Sequence, residues 1–296
     1  MFVKPLAALL ALAFAATASP SLAATDWNAV ATALGKPGTE MGGGVYRVGL
    51  PRSDLHVTLD GVTLKPSLAL GSWLAFAPMG NKTMVMGDLV LTEEEIGPVM
   101  KALAESGIDI TALHNHLLRA RPATFYMHVF AAGDPVALAK ALHNALALSK
   151  TPFAAPPAPK TVSQIDLNTA AIDHALDAKG KITGGVYQIG IPRSAPVMMH
   201  GMAIPLAMGV GEAINFQPTG KGRAAITGDF VLTAAEVNPV LKALRENGIE
   251  VAALHNHMLD DRPRLFFMHY WANGRLDSLL TGLKAALSHV AIKVPK

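Results

Sequence analysis

The sequence predicts an α+β protein built from two tandem copies of one domain, each an antiparallel sheet packed with helices. The first observation behind this prediction is an internal duplication: residues 84–133 return at 225–274 without a gap, and 27 of these 50 positions are identical. The second is that helix-capping signals and strand-like runs recur in the same order in both copies. A length of 296 residues also fits two ordinary domains.

The N-terminal part of each copy contains a helix, a glycine-rich turn and several strands. The helix is predicted at 26–34 in the first copy and at 167–178 in the second. Glycine suits the turn that follows because it adopts positive φ without a steric penalty. Strand-like runs come next, at 45–50, 57–64, 72–77 and 83–91 in the first copy and at 186–191 in the second.

A helix with clear end signals follows the strands and is predicted at 92–106 and 233–247. Each copy opens with threonine followed three residues later by glutamate, which is a capping box. Each ends at a glycine, the residue favoured just past a helix C-terminus. The capping box accounts for the repeated carboxylates of Glu95 and Glu236 without a role as ligands.

A hairpin and a closing helix complete each copy. In the first copy, 108–118 is expected to pair with 124–131 through an Arg-Ala-Arg-Pro turn. Asp134 as the cap and Pro135 in the first turn then predict the closing helix.

The first residues have the pattern of a secretory signal peptide, predicted at 1–23. Lys4 supplies the positive charge, and the apolar run after it is too short to cross a bilayer comfortably. We therefore expect a periplasmic or secreted protein with no stable membrane span after signal cleavage. The remaining boundaries are a first repeat domain at 24–149, a Pro/Ala-rich linker at 150–160 and a second repeat domain at 161–296.

Composition narrows the classes of function. A hydrophobic content of 51% with 16% charged residues is ample for packed cores. The net charge is +3 and only 6% of residues are aromatic, so a nucleic-acid partner is not expected. The chain has no cysteine, which excludes disulfides, thiolate metal ligands and thiol catalysis.

The repeated histidines are the main functional signal. His114 and His116 lie two apart in a predicted strand, so their side chains share one face of the sheet. His128 lies on the next strand of the hairpin and can join them. Three imidazoles with an open fourth position suit zinc or copper. The second copy repeats the set as His255, His257 and His269.

Alternatives to this interpretation remain open. Duplication copies structural histidines as faithfully as ligands, and the sequence does not distinguish two separate sites from one shared site. Asp88 and Asp229 are carboxylate candidates that could instead form turn hydrogen bonds. Asn115 and Asn256 could orient a ligand or cap a bulge. Arg52 and Arg193 could hold an anionic group at a strand end.

The repeated Ala-Leu-His-Asn-His and Met-His strands, the Gly-Asp-x-Val-Leu-Thr segment and the exported N-terminus resemble the bacterial LppY/LpqO family. That family consists of exported proteins with a domain of unknown function, and the resemblance covers 26–289. It implies an envelope location and a loose association with peptidoglycan binding, but no reaction and no catalytic residues. Mycobacterial members are lipoproteins, whereas this chain lacks the cysteine that would carry a lipid.

Three functions fit these observations. The first is an exported envelope protein whose histidine sites bind a transition metal and could act on an envelope substrate. The second is a non-enzymatic module that binds cell-wall glycan or peptidoglycan. The third is a metal carrier or sensor without turnover. The expected partner is therefore an envelope small molecule or a cell-wall component, and no catalytic residue is nominated.

Overall fold

The computed structural model describes residues 25–154 and 164–293, and its mixed α+β architecture confirms the predicted class. It contains two halves, each with a six-stranded antiparallel sheet. The expected signal peptide at 1–23 lies outside the described residues. So does the part of the expected linker at 155–160.

The first half contains four helices and eight strands. They are α1 Trp27–Leu34, β1 Thr39–Met41, β2 Val45–Pro51, β3 Thr58–Leu59, β4 Val62–Thr63, α2 Pro66–Ala69, β5 Gly71–Met79, β6 Lys82–Leu91, α3 Glu93–Glu105, β7 Asp109–His114, β8 Phe125–Gly133 and α4 Pro135–Leu146. The strand order in the large sheet is β1-β2-β5-β6-β8-β7, and β3 and β4 form a separate hairpin.

The second half has the same topology. Its elements are α5 Thr169–Leu176, β9 Lys181–Thr183, β10 Val186–Pro192, β11 Met198–Met199, β12 Met202–Ala203, β13 Gly211–Gly220, β14 Arg223–Leu232, α6 Ala234–Glu246, β15 Glu250–His255, β16 Phe266–Arg275 and α7 Leu276–Leu287. The strand order β9-β10-β13-β14-β16-β15 matches that of the first half position by position. The duplication in sequence is therefore a duplication of fold.

Local sequence signals explain where the elements begin and end. Both predicted capping boxes are confirmed, with Glu95 and Glu236 reaching back to the start of α3 and α6. The strand expected at 57–64 is instead the β3–β4 hairpin, because Asp60 and Gly61 adopt positive φ in a two-residue turn. The helix α5 is shorter than expected, since Asn168 caps its start and Asp177 ends it with a left-handed backbone conformation.

Two kinds of core lie on the two faces of each sheet. Side chains alternate along β5, so Leu74 and Phe76 pack against the helices while Ala75 and Ala77 face the other half. The inward residues form one buried cluster with residues of the second half such as Phe267. The molecule is thus layered as helices, sheet, sheet and helices.

The small hairpins cross between the halves. Leu59 and Val62 of the β3–β4 hairpin pack with Ala225 and Trp271 of the second half. The β11–β12 hairpin makes the reciprocal contact, with Met199 buried in the cluster that contains Ala75. Each half therefore covers part of the other's sheet, and this fixes how the two sheets face each other.

Substituting Gly228 with alanine is expected to destabilise the fold by about 1–3 kcal/mol, because of overpacking in a dense core. A Cβ at this position on β14 would overlap the carbonyl oxygen of Ala213 on β13 and lie 2.9 Å from the Tyr270 hydroxyl. Urea unfolding of the Gly228→Ala variant measures the loss. Gly190→Ala is the matched control, since a Cβ there meets nothing within 4 Å. Equal losses in the two variants would contradict the steric argument.

No described helix has the length and apolarity needed to span a bilayer.

Candidate metal centre

The histidines of the first half lie at the edge of its sheet, on the face that meets the second half. Asp88 on β6 pairs with His128 on β8, and His114 on β7 pairs with Tyr126. The ring centroid of His114 is 4.7 Å from that of His128. The partner of His128 on β7 is Ala112 and not a histidine, but His114 is its diagonal neighbour and lies on the same face.

His116 reaches the cluster from a loop rather than from a strand. The strand predicted to run to residue 118 ends at His114. Strand β8 begins only at Phe125, so the residues after His114 have almost no residues of β8 left to pair with. The His116 ring nevertheless lies 5.0 Å from the His114 ring and stacks on Tyr126.

The second half places its histidines in the same way. His255 ends β15 and pairs with Phe267, while His269 on β16 pairs with Asp229 on β14. His257 follows in the loop. Each half therefore presents two histidines from strands and one from a loop.

The two sets meet in one cluster. The Nε2 atoms of His114 and His269 are 3.2 Å apart, and the His114 ring stacks on His255 with centroids 3.5 Å apart. The Nδ1 atoms of His128 and His257 are in direct contact. Of the two arrangements that the sequence left open, the structure has the shared one.

The environment keeps the imidazoles neutral. His128, His257 and His269 are at most 3% exposed, and the other three are half-buried. Burial is the main cause that lowers the pKa of His114 to about 2, that of His257 to about 4 and that of His269 to about 3. Neutral imidazole is the form that binds a metal ion.

The carboxylates of the cluster shift in the opposite direction. Burial raises the pKa of Asp88 to about 8, although the Arg47 guanidinium acts to lower it. Burial also raises the pKa of Asp229 well above its usual value. Burial therefore disfavours the ionised form of both carboxyl groups. A cation bound beside them would lower their pKa values again.

Many ligand atoms in the cluster are buried and lack a hydrogen-bond partner among the described residues. They are Asp88 Oδ1, His114 Nδ1, His116 Nε2, His128 Nε2, Asp229 Oδ1, His255 Nδ1 and His255 Nε2. Buried polar atoms are normally paired, and leaving one unpaired costs about 1–3 kcal/mol. A cluster with so many unpaired buried polar atoms could hold a ligand that pairs with them.

Three groups of side chains could each hold an ion, since their ligand atoms lie within 4.8 Å of one another. They are Asp88–His116–His128, His114–His128–His255 and His114–His116–His269. In the first group, the Asp88 carboxylate oxygens lie 3.8 Å from the Nε2 atoms of both His116 and His128. Two ligands about 2.0–2.2 Å from one ion are roughly 3.3–4.2 Å apart, so these distances fit.

The asparagines expected to support the site differ between the halves. Asn256 donates to the carbonyl oxygen of Thr111 at 2.7 Å, and the Thr111 hydroxyl donates to the carbonyl oxygen of His257 at 2.7 Å. This exchange ties the loop that carries His257 to strand β7 of the other half. Asn115 lies half-buried just after β7.

Arg52 and Arg193, which could have held an anionic group, pair with carboxylates of their own half. Arg52 is fully buried and makes five hydrogen bonds, to Asp54, Glu95 and the carbonyl oxygen of Val90. Arg193 contacts the carbonyl oxygen of Val231 and pairs with Glu236 at 3.0 Å. Both arginines therefore anchor the start of a helix.

The Arg193–Glu236 pair predicts a loss of stability in acid. Burial raises the pKa of Glu236, but hydrogen bonds from Arg193, Thr233 and Ala291 outweigh it and lower the pKa from 4.5 to about 2. The carboxylate thus stabilises the fold fully above pH 4.5, and this contribution disappears as the pH falls towards 2. Thermal unfolding across this range should show the gap between wild type and Glu236→Gln closing as pH falls. Glu246→Gln, at the exposed end of the same helix, is the control, and a gap independent of pH would contradict the prediction.

Two residues near the cluster escaped the sequence analysis because they occur in one copy only. The Trp73 ring lies 6.1 Å from the His257 ring, and the Arg47 guanidinium lies 4.0 Å over the Trp73 ring. Burial lowers the pKa of Arg47 to about 10. The register places Gln188 and Ala213 at these positions in the second half, so the internal repeat carries no signal for Arg47 or Trp73.

Comparison with known proteins identifies the family. A family model described as Domain of Unknown Function (DUF1259) matches residues 28–148 and again residues 170–289. The chain belongs to this family. The two matches confirm the tandem copies, and the narrower LppY/LpqO relationship stays a prediction.

The other comparisons give no functional assignment. No curated protein matches the sequence. Among solved structures, the trimeric bacterial microcompartment shell protein PduB is 12% identical, with 84% of this chain and 87% of that chain covered and a TM-score of 0.21. EtuB from Clostridium kluyveri is 10% identical, with 84% and 90% covered and a TM-score of 0.19. The double ringed trimeric shell protein MSM0271 from the RMM microcompartment is 12% identical, with 72% and 85% covered and a TM-score of 0.20. Similarity of this degree establishes neither a shared fold nor a shared function.

Proposed function

We propose that this protein binds a divalent transition metal ion, zinc or copper, through Asp88, His116 and His128. The observation that carries the proposal is that Asp88 Oδ1 and the Nε2 atoms of both histidines are buried, mutually close and without partners among the described residues. Two imidazoles and a carboxylate form a donor set that zinc and copper accept. His257 contacts the other nitrogen of His128 and would orient its ring.

The burial of the ligands favours binding over turnover. The side chains of Asp88, His116 and His128 are at most 13% exposed. A catalytic metal needs an open coordination position that a substrate can reach. The proposed role is therefore a metal-binding envelope protein, either a carrier or a metal-stabilised module, and action on an envelope substrate would require an opening beside the ion.

The proposed location rests on the sequence at 1–23, which has the pattern of a cleaved export signal. Fractionation of cells that express the full chain with a C-terminal tag tests this part. We expect the tagged protein outside the cytoplasm, with a mature N-terminus that begins near residue 24. An intact N-terminus in the cytoplasmic fraction would contradict export.

The metal proposal is tested by elemental mass spectrometry of tag-free protein purified without chelator. Near-stoichiometric zinc or copper is expected in the wild type, and loss of one ion is expected in Asp88→Asn and His128→Gln. His289→Gln is the matched control, because this histidine is exposed and outside the cluster. A wild-type protein that is metal-free and takes up neither added zinc nor added copper would overturn the proposal.

A second candidate function, binding of a cell-wall glycan, is favoured by one cavity. An open cavity of about 330 Å³ between the β3–β4 hairpin and the second half is lined by Asp60, Gln217, Thr219, Arg223 and Asn273. These side chains offer the donors and acceptors that a sugar needs. Co-sedimentation with purified peptidoglycan tests it, and binding that is unchanged in Arg223→Ala or absent in the wild type would exclude this cavity.

A further inference from the structure

We propose that the cavity beside the β3–β4 hairpin binds an acidic sugar and that Arg223 pairs with its carboxylate. This inference rests on the glycan-binding function proposed for the cavity, and it is independent of the metal site. The volume of about 330 Å³ lies at the lower end of the range of small-molecule sites. Among the lining side chains only those of Val62 and Pro218 are apolar, so the cavity suits a ligand with polar groups on most of its surface.

Hydrogen bonds between the two halves hold the walls of the cavity in place. The side-chain amide of Gln217 donates to the carbonyl oxygen of Thr63 and accepts the backbone N–H of Lys65, both at 2.8 Å. The indole N–H of Trp271 donates to the Asp60 carboxylate at 2.9 Å. The hairpin is therefore fixed against the second half before a ligand arrives, which lowers the entropic cost of binding.

The charges that line the cavity favour an anionic ligand. The Asp60 carboxylate is already paired with Arg119 at 3.1 Å, in addition to its bond from Trp271. Arg223 donates to the carbonyl oxygen of Asn273 at 3.1 Å and pairs with no carboxylate among the described residues. Most of its five N–H donors therefore remain for a ligand, and their planar arrangement matches a carboxylate.

The neutral side chains of the cavity suit hydroxyl groups. The Thr219 hydroxyl donates to Oδ1 of Asn273 at 3.0 Å. This bond leaves the Asn273 amide nitrogen as a donor and the Thr219 oxygen as an acceptor, while the Asp60 carboxylate adds further acceptors. A sugar hydroxyl both donates and accepts, so it can use either kind of group. A ligand with one carboxylate and several hydroxyls, an acidic sugar, matches the whole set.

The fold itself does not require this polar lining. The register places Ala77 and Ala132 of the first half at the positions of Gln217 and Asn273. Ala77 is part of the buried apolar cluster between the halves. The same backbone thus accepts apolar side chains at both positions, and the polar residues of the second half are specific to this cavity.

The indole N–H of Trp271 provides the signal that tests the proposal, because it donates to a residue in the cavity wall. The ¹⁵N-labelled protein is titrated with sodium glucuronate, and the Trp271 signal is followed by NMR. Spectra of Trp27→Phe and Trp73→Phe identify that signal among the three tryptophans. We expect a saturable shift with glucuronate, and binding about tenfold weaker or less with glucose, which lacks the carboxylate.

Three variants show whether the cavity carries the binding. Arg223→Met should weaken glucuronate binding about tenfold or more, since it removes a charge-assisted hydrogen bond. Asn273→Ala should also weaken it, and it introduces the residue that the first half has at this position. Lys82→Met is the matched control, because it removes the basic residue at the equivalent position of the first half, and it should bind like the wild type.

The outcomes separate this inference from the glycan-binding function on which it rests. Equal affinity for glucose and glucuronate, or wild-type affinity for glucuronate in Arg223→Met, overturns the assignment of an acidic sugar. A protein that co-sediments with peptidoglycan but shows no saturable shift with glucuronate overturns this inference alone. A protein that does neither overturns both.

Discussion

Replacing Arg52 with methionine is expected to lower the free energy of unfolding by about 3–5 kcal/mol, the typical cost of removing one partner from a buried ion pair. The Arg52 side chain is completely buried and its guanidinium bridges Asp54 and Glu95 while donating to the carbonyl oxygen of Val90. Its loss leaves Glu95 buried without its cation, at the capping box that starts α3. Urea unfolding followed by circular dichroism measures the effect.

Substitutions of two other arginines serve as comparisons for the stability loss in Arg52→Met. Arg193 occupies the equivalent position and pairs with Glu236, but the residue two further along is Ala195 instead of an aspartate. Arg193→Met should therefore cost less than Arg52→Met. Arg275 pairs with Asp277 on the surface, and Arg275→Met should change stability little. A loss in Arg52→Met no larger than that in Arg275→Met would show that the buried network does not stabilise the fold.

Zinc is expected to stabilise the metal-free protein by about 2.7 kcal/mol when the free zinc concentration is about 100 times the Kd of the site formed by Asp88, His116 and His128. For a folding unit of this size, that corresponds to a rise in Tm of roughly 5–10 °C. The reason is that Asp88, His116 and His128 form a site only in the folded state, where their facing atoms lack partners among the described residues. Differential scanning calorimetry with and without zinc measures the shift.

The Asp88→Asn variant supplies the control for the zinc effect. Burial raises the pKa of the Asp88 carboxyl, so the metal-free variant should be at least as stable as the wild type. It should nevertheless gain less from zinc. Magnesium, which prefers oxygen ligands, should shift the Tm of the wild type little. Equal zinc shifts in the wild type and in Asp88→Asn would place the stabilising ion elsewhere.

Much of the fold could be predicted from short-range signals. Capping boxes, helix-stop glycines and the internal repeat depend on neighbouring residues, and the structure has the corresponding helices at 93–105 and 234–246. The hairpin at 58–63 also has a local sequence signal, since Asp60-Gly61 is a pair typical of two-residue hairpin turns. The single strand predicted at 57–64 is wrong because this turn divides it into β3 and β4.

The arrangement of the site could be predicted only in part. Strand periodicity places His114 and His128 on one face of a sheet. It does not determine which surface that face meets, because contacts between the two sheets depend on side chains far apart in sequence. The contact of His128 with His257 and that of Asn256 with Thr111 therefore had no local signal.

The shared cluster also bears on the history of the chain. A single, unfused copy of this domain could assemble such a cluster only by pairing with a second identical copy, and every substitution would then occur on both sides. Fusion into one polypeptide removes that symmetry. Ser72 and Glu212 show the result: each accepts the backbone N–H of the equivalent valine, Val90 or Val231, yet one is a hydroxyl and the other a buried carboxyl. Covalent linkage thus allows one half to diverge while the other keeps its ligands.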